Sequence, residues 1–330
     1  MASSTQTIFP VYDYQEPPST PPDNTTDPDA IYLPGACFNL YAVTPPPIPN
    51  GDQWCQHDAH SLQRQKVEGL FALSLTNRIP VPPSSSLSTT LSESLCGGVR
   101  DHVTHVWTAS SSSTTSNGSE TVVAKFYDPL YFHDEYDSVD PLRLVAWSVA
   151  SEVKAYEMLQ SLQGICIPRC LGLYATAITE QDGRTVYVLL LECVAGADLR
   201  YLCEDGHRDE IVADFLCQRH REAIFATLVQ LTMDFLNLGV LQDDLAPRNI
   251  IIRPLAHPGP FCADERCPAR FRIDVDDVRA VMVDFERVQI EYPPNPNKIS
   301  YFQKLFANAD IKEYLSRWFR NTHEFPDYRG

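Results

Sequence analysis

The hydrophobic period changes repeatedly between residues 121 and 238, and few architectures accommodate the resulting order. Residues 121–127 read TVVAKFY, a β-branched and aromatic run that predicts a strand. Over 144–162, Ala150, Val153, Tyr156, Leu159 and Leu162 recur on one helical face. Residues 186–193, VYVLLLEC, return to a fully apolar strand. The clearest helix spans 219–238, with Ile224, Leu228, Leu231, Phe235 and Leu238 in steps of four and three and Gly239 at its stop. Short strands follow at 249–252 and 280–283, then a helix around 311–319. This order predicts an α+β chain in two lobes.

Proline sets the other boundary. Eleven of the 26 prolines fall in residues 1–50, a segment without Lys or Arg. It is predicted to be largely irregular. Residues 59–75 fit a short helix, and the Pro and Ser runs over 79–92 read as a linker. The Ser/Thr tract at 110–116 suits a long hairpin loop. Residues 1–92 are therefore expected to be an N-terminal extension and 93–330 the folded domain.

The 43 acids against 26 bases give a net charge of −17, which excludes the basic face that nucleic acid requires. It equally disfavours an anionic membrane surface. No stretch approaches ~18 uninterrupted apolar residues, so no membrane span is expected. The first residues lack a basic start and an apolar run, so a cytoplasmic chain is expected, with the nucleus left open. The ten cysteines are scattered, several inside apolar runs, as free core thiols would be. Cys262 and Cys267, with His257 nearby, lack the C-x-x-C spacing of a zinc site and read as free loop thiols.

Residues 239–252, GVLQDDLAPRNIII, carry the most chemistry. They hold Asp244, Leu245 and Asn249 as D-L-x-x-x-N. Asp284 follows 35 residues later, directly after an apolar strand. Lys125 lies upstream on a strand, and Glu152 on the 144–162 helix. This set suits phosphoryl transfer. A strand-borne Lys presents a rigid cation to phosphates, and a helix Glu anchors it. A carboxylate and an amide oxygen suit Mg²⁺, and a further carboxylate orients or deprotonates an attacking hydroxyl.

The ordered set resembles the protein kinase superfamily over roughly residues 95–330. V-A-K at 123–125 is similar to V-A-I-K, D-L-x-x-x-N to the catalytic loop, and Asp284 to the metal-binding Asp of D-F-G. The local wording, V-A-K-F-Y-D-P, I-P-R-x-L-G and D-L-A-P-R-N-I, is closer still to kinase-like proteins of filamentous fungi. The resemblance implies ATP and Mg²⁺ as cofactors and a hydroxyl acceptor, a protein Ser/Thr or a small molecule. It implies Lys125 on the phosphates, Glu152 as its anchor, Asp244 as base or orienter, and Asn249 and Asp284 as metal ligands. The segment 190–199 resembles a hinge, with the Glu192 carbonyl and Val194 N–H on the adenine edge and Asp198 near the ribose. It also implies a bilobal protein kinase-like fold. The antiparallel-sheet N-lobe would span about 93–191, the hinge about 192–198, and a mainly helical, shortened C-lobe about 199–330.

Several positions depart from the pattern. No G-x-G-x-x-G precedes Lys125, and Cys96-Gly97-Gly98-Val99 is a poor match. Gln242 and Asp243 replace the usual His and Arg, Glu286 replaces the Gly of D-F-G, and no A-P-E follows. Residues 253–279 form an enlarged Pro-rich loop. These departures keep open a second reading, a weak or inactive pseudokinase acting as a binding or scaffold module. Glu157 remains an alternative to Glu152, and Asp243 to Asp244.

Overall fold

The computed structural model describes residues 31–48, 55–83, 87–96, 103–113, 119–132, 139–199, 216–242, 244, 247–255 and 259–290. Six strands dominate it: β1 (Cys37–Ala42), β2 (Leu87–Cys96), β3 (Thr104–Ser113), β4 (Ser119–Tyr127), β5 (Cys170–Ile178) and β6 (Arg184–Glu192). All pair antiparallel, in the order β1-β2-β3-β4-β6-β5, and the sheet closes into a barrel because β1 pairs with both β2 and β5. Cys37 faces Thr90 on one side, and Tyr41 faces Ala175 on the other.

This closure corrects the expected architecture. A bilobal kinase-like fold needs an antiparallel sheet lobe over a mainly helical one. The described chain has a closed barrel and only four α-helices, α1 (Ala59–Glu68), α2 (Leu70–Thr76), α3 (Pro141–Met158) and α4 (Gln218–Asn237). Among the described residues, α4 is the single α-helix after residue 199. The physical reason lies in the N-terminal segment expected to be irregular. Phe38 and Leu40 alternate inward along β1 and give it a buried face, so it serves as a stave. The boundary placed at residue 92 falls inside β2.

The same alternation divides the chain into two cores. On β4, Val122, Ala124 and Phe126 join Leu91, Trp107, Val186, Val188, Leu190 and Ile178, so every strand contributes to an apolar barrel interior. The intervening residues Val123, Lys125 and Tyr127 face outward. There α3, α4 and the short C-terminal strands build a second core around Val149, Tyr156, Ile224, Phe235 and Phe285. One barrel wall is thus covered on both faces, and Lys125 sits between the two cores.

The helices start where the sequence supplies caps. Asp140 accepts from the Leu142 and Arg143 N–H groups at 3.0 and 3.3 Å, and Pro141 occupies the first turn of α3. Asp58 accepts from Ser61 N–H at 2.7 Å at the start of α1. Gly69, at φ 82°, separates α1 from α2 within the stretch expected as one helix. Asp58 also pairs with Arg143 at 2.5 Å, tying α1 to α3.

Beyond α4 lie β7 (Ala197–Asp198), β8 (Val240–Gln242), β9 (Ile250–Ile252), β10 (Ala280–Met282) and β11 (Val288–Ile290). They form a three-stranded sheet, β10-β9-β7, and a pair, β11-β8. The expected helix at 311–319 lies outside the described residues, as does Asp243. No helix among the described residues is long and apolar enough to cross a membrane.

Candidate functional site

Lys125 reaches the site from β4, a strand paired on both sides, through Val106 of β3 and Leu189 of β6. Its backbone is therefore rigid, and the residue is 3% exposed. Its Nζ donates to Glu152 Oε2 at 2.6 Å and to Asp284 Oδ1 at 2.9 Å. A third carboxylate, Glu286 Oε1, lies 2.9 Å away. Tyr127, two residues along the same strand face, donates its OH to Glu152 Oε2 at 2.5 Å. Glu152 is fully buried on α3 and also accepts the Phe285 N–H at 3.4 Å. Glu157 instead pairs with Lys154 on the exposed side of α3.

The charges explain one another. Burial pushes the Lys125 ammonium down, but Asp284, Glu152 and Glu286 outweigh it and hold the group well above the usual lysine range. Burial pushes the Glu152 carboxyl up to about 7, against the opposing pull of Lys125. Burial also raises Asp284, yet the adjacent ammonium wins and keeps it below its ordinary value. One cation among three carboxylates leaves the cluster net negative.

Asp284 stands at φ 66°, the left-handed region that Asp tolerates better than most residues. The turn aims its side chain at Lys125 and sends Phe285 into the second core. There Phe285 meets Tyr156 of α3 and Phe235 of α4 edge-on, with ring centroids 5.3 and 5.7 Å away.

The D-L-x-x-x-N segment joins the site through Gln242. Its Nε2 donates to the Asp284 carbonyl at 2.6 Å, and its Oε1 accepts the Asp244 N–H at 3.3 Å. Gln242 thus bridges Asp284 to the Asp244 backbone. Asn249 Nδ2 donates to the Asp244 carbonyl at 3.0 Å and to Asp244 Oδ2 at 3.1 Å. Asp244 also accepts from Arg248 at 2.8 and 3.1 Å. The Val283 N–H donates to the Asn249 carbonyl at 2.8 Å, closing the network.

The hinge-like residues have a different setting. Glu192 ends β6, and its carboxylate accepts the Arg169 N–H at 3.0 Å and faces Arg253 at 3.6 Å. Val194 is half-buried between β6 and β7. Asp198 pairs with Ile251 of β9, the strand that directly follows Asn249. Glu192, Val194 and Asp198 are not drawn into the Lys125 ion-pair cluster.

Sequence reasoning missed Glu286 and Tyr127 as members of the cluster. Glu286 stands where the resemblance expects a Gly, and its two-residue spacing from Asp284 is the signal that points to it. Tyr127 shares the strand face of Lys125 by the same spacing.

Asn249 meets only acceptors on Asp244, so its amide nitrogen must face them and its amide oxygen is not consumed there. That oxygen and the Asp284 and Glu286 carboxylates are hard donors of the kind Mg²⁺ takes. No family model matches the chain, and no curated protein matches its sequence significantly.

Proposed function

We propose that the chain is an ATP- and Mg²⁺-dependent phosphotransferase acting on a hydroxyl. The observation that carries this is the Lys125 ammonium held between Glu152 and Asp284, at 2.6 and 2.9 Å. The reading rests on this site and its motif order, which resembles that of protein kinases, and requires no bilobal fold.

In this reading Lys125, anchored by Glu152, pairs with nucleotide phosphates. Asn249 and Asp284 hold Mg²⁺, whose chemistry is to neutralise charge on the transferring phosphoryl group. Asp244 orients the acceptor hydroxyl and takes its proton as the acceptor oxygen bonds to the γ-phosphorus and the β–γ bridging bond breaks. The Glu192 carbonyl and Val194 N–H meet the adenine edge, with Asp198 toward the ribose. The acceptor class, protein Ser/Thr or small molecule, is set by surfaces outside this cluster.

A second reading is a pseudokinase-like module that binds nucleotide without turnover. The Arg248–Asp244 ion pair favours it, because the guanidinium occupies both carboxylate oxygens that an acceptor hydroxyl would need.

Thermal melts with and without millimolar Mg-ATP test both. Binding stabilises the chain by RT ln(1 + [L]/Kd). Asp284→Asn is the better control than Asp284→Ala, since Asn tolerates the left-handed backbone there. A shift that Asp284→Asn abolishes, together with slow ATP turnover, supports the phosphotransferase. The same shift without turnover supports the binding module. No shift with Mg-ATP overturns both.

A further inference from the structure

A second cluster, outside the Lys125 site, joins parts of the chain far apart in sequence. Cys217, His220, Cys262 and Cys267 each bring one ligand atom to a common point, and all four atoms lie within 4.8 Å of one another. Cys217 Sγ is 3.1 Å and Cys267 Sγ 3.5 Å from His220 Nδ1. In a tetrahedral zinc site, sulfur and nitrogen ligands stand about 3.6 Å apart and sulfur pairs about 3.8 Å. The four groups are already at that scale.

The surroundings are also arranged for a metal. His220 is fully buried, and its other ring nitrogen, Nε2, donates to the Ile273 carbonyl at 2.9 Å. That bond puts the ring proton on Nε2 and leaves Nδ1 as the lone-pair nitrogen facing the sulfurs, the usual outer support of a metal-bound histidine. Cys217 is the N-cap residue of α4, yet its side chain caps no helix N–H. It and His220, three residues on, share one face at the helix start. Cys267 Sγ accepts the Cys217 N–H at 3.4 Å, which ties the two cysteines together at the start of α4.

Residues 259–279 contain no α-helix or named strand, yet Cys267, Ala269 and Ile273 are buried in the second core beside Ile224 and Leu228 of α4. A long irregular segment has little regular hydrogen bonding to hold it there. A four-coordinate ion would clamp it to the start of α4.

We propose that Cys217, His220, Cys262 and Cys267 form a structural zinc site that pins the 259–279 loop onto α4. Three thiolates and one imidazole suit zinc, and four protein ligands leave no open position for catalysis. The spacing C-x-x-H with C-x₄-C hides the site from a linear reading, in which Cys262 and Cys267 are free loop thiols. This proposal does not depend on the phosphotransferase reading.

Elemental analysis of the full chain, purified under reducing conditions with zinc supplied, is expected to give one zinc per chain. Replacement by cobalt should produce the intense thiolate-to-cobalt absorption of a tetrahedral site. A mercurial thiol reagent should release that one zinc from the wild-type protein, with a fall in Tm of several degrees. His220→Asn should lose the metal, His220→Cys should keep it, and Cys37→Ser, away from the cluster, should leave it unchanged. Absence of stoichiometric zinc in the folded wild-type protein overturns the proposal. So does a disulfide between any two of the three cysteines.

Discussion

Lys125 and Glu152, 27 residues apart, meet at 2.6 Å with neither side chain more than 4% exposed. The pair welds the outer wall of the barrel to α3, and the rest of the site is assembled around it. Removing the ammonium strands three carboxylates. Lys125→Met should therefore destabilise the fold by about 3–5 kcal/mol near neutral pH. Because the stranded acids can take up protons, the loss should shrink toward pH 5. Urea midpoints at pH 5 and pH 8 measure this, and equal losses at both would contradict it.

Glu152 itself predicts a pH slope. With its carboxyl raised to about 7, against an ordinary value of 4.5, it keeps a proton in the folded chain after the unfolded chain has lost it. Its contribution to stability should decline as pH rises from about 4.5 to about 7, then level off. Asp284, held below its ordinary value, acts the other way and loses its contribution only as pH falls further. Chemical denaturation across pH 4.5–8, without added divalent cation, should show a less steep decline in Glu152→Gln than in wild type.

Arg184 and Asp128 form a second buried pair. Both are fully buried, and the guanidinium donates to the two Asp128 oxygens at 2.8 and 2.7 Å. Tyr32 adds a hydroxyl to Asp128 at 3.0 Å. Asp128→Ala leaves a buried cation and should cost about 3–5 kcal/mol. The double change Arg184→Met, Asp128→Leu should recover much of that loss. A double-mutant cycle by urea denaturation decides it, and additive losses would argue against a coupled pair.

Leu40 tests barrel closure. It is fully buried on the stave that joins β2 to β5. Leu40→Ala should cost about 2–5 kcal/mol, as for other core leucines. If β1 merely draped over the surface, the cost would stay near zero. Amide exchange on β2 and β5 should accelerate in the variant, because both would become edges.

Gly196 controls how the hinge-like segment meets the D-L-x-x-x-N strand. It sits at φ 148°, and an added Cβ would stand 2.3 Å from the Ile252 carbonyl oxygen. Gly196→Ala should separate β7 from β9. If the nucleotide reading holds, Mg-ATP affinity should fall at least several-fold, as read by calorimetry. An unchanged affinity would remove residues 192–198 from the binding site.

Short-range chemistry was legible along the chain. Hydrophobic spacing located α3, α4, β4 and β6, because burial on one face writes a local period. Residue type and order singled out Lys125, Glu152, Asp244, Asn249 and Asp284, and the structure joins all five in one hydrogen-bonded network. Contacts set by long-range pairing left no local trace. β1 closes a barrel only because its partners come from residues 87–90 and 174–175, and the prolines around it obscured its alternation. Glu286 joins Lys125, and Cys217 meets Cys262 and Cys267, across gaps that a linear spacing rule does not span. Local periodicity follows from which face of a helix or strand is apolar, a property each segment carries alone. Barrel closure and the two charged and thiol-rich clusters depend on which distant segments pack together, and that is decided only when the whole core forms.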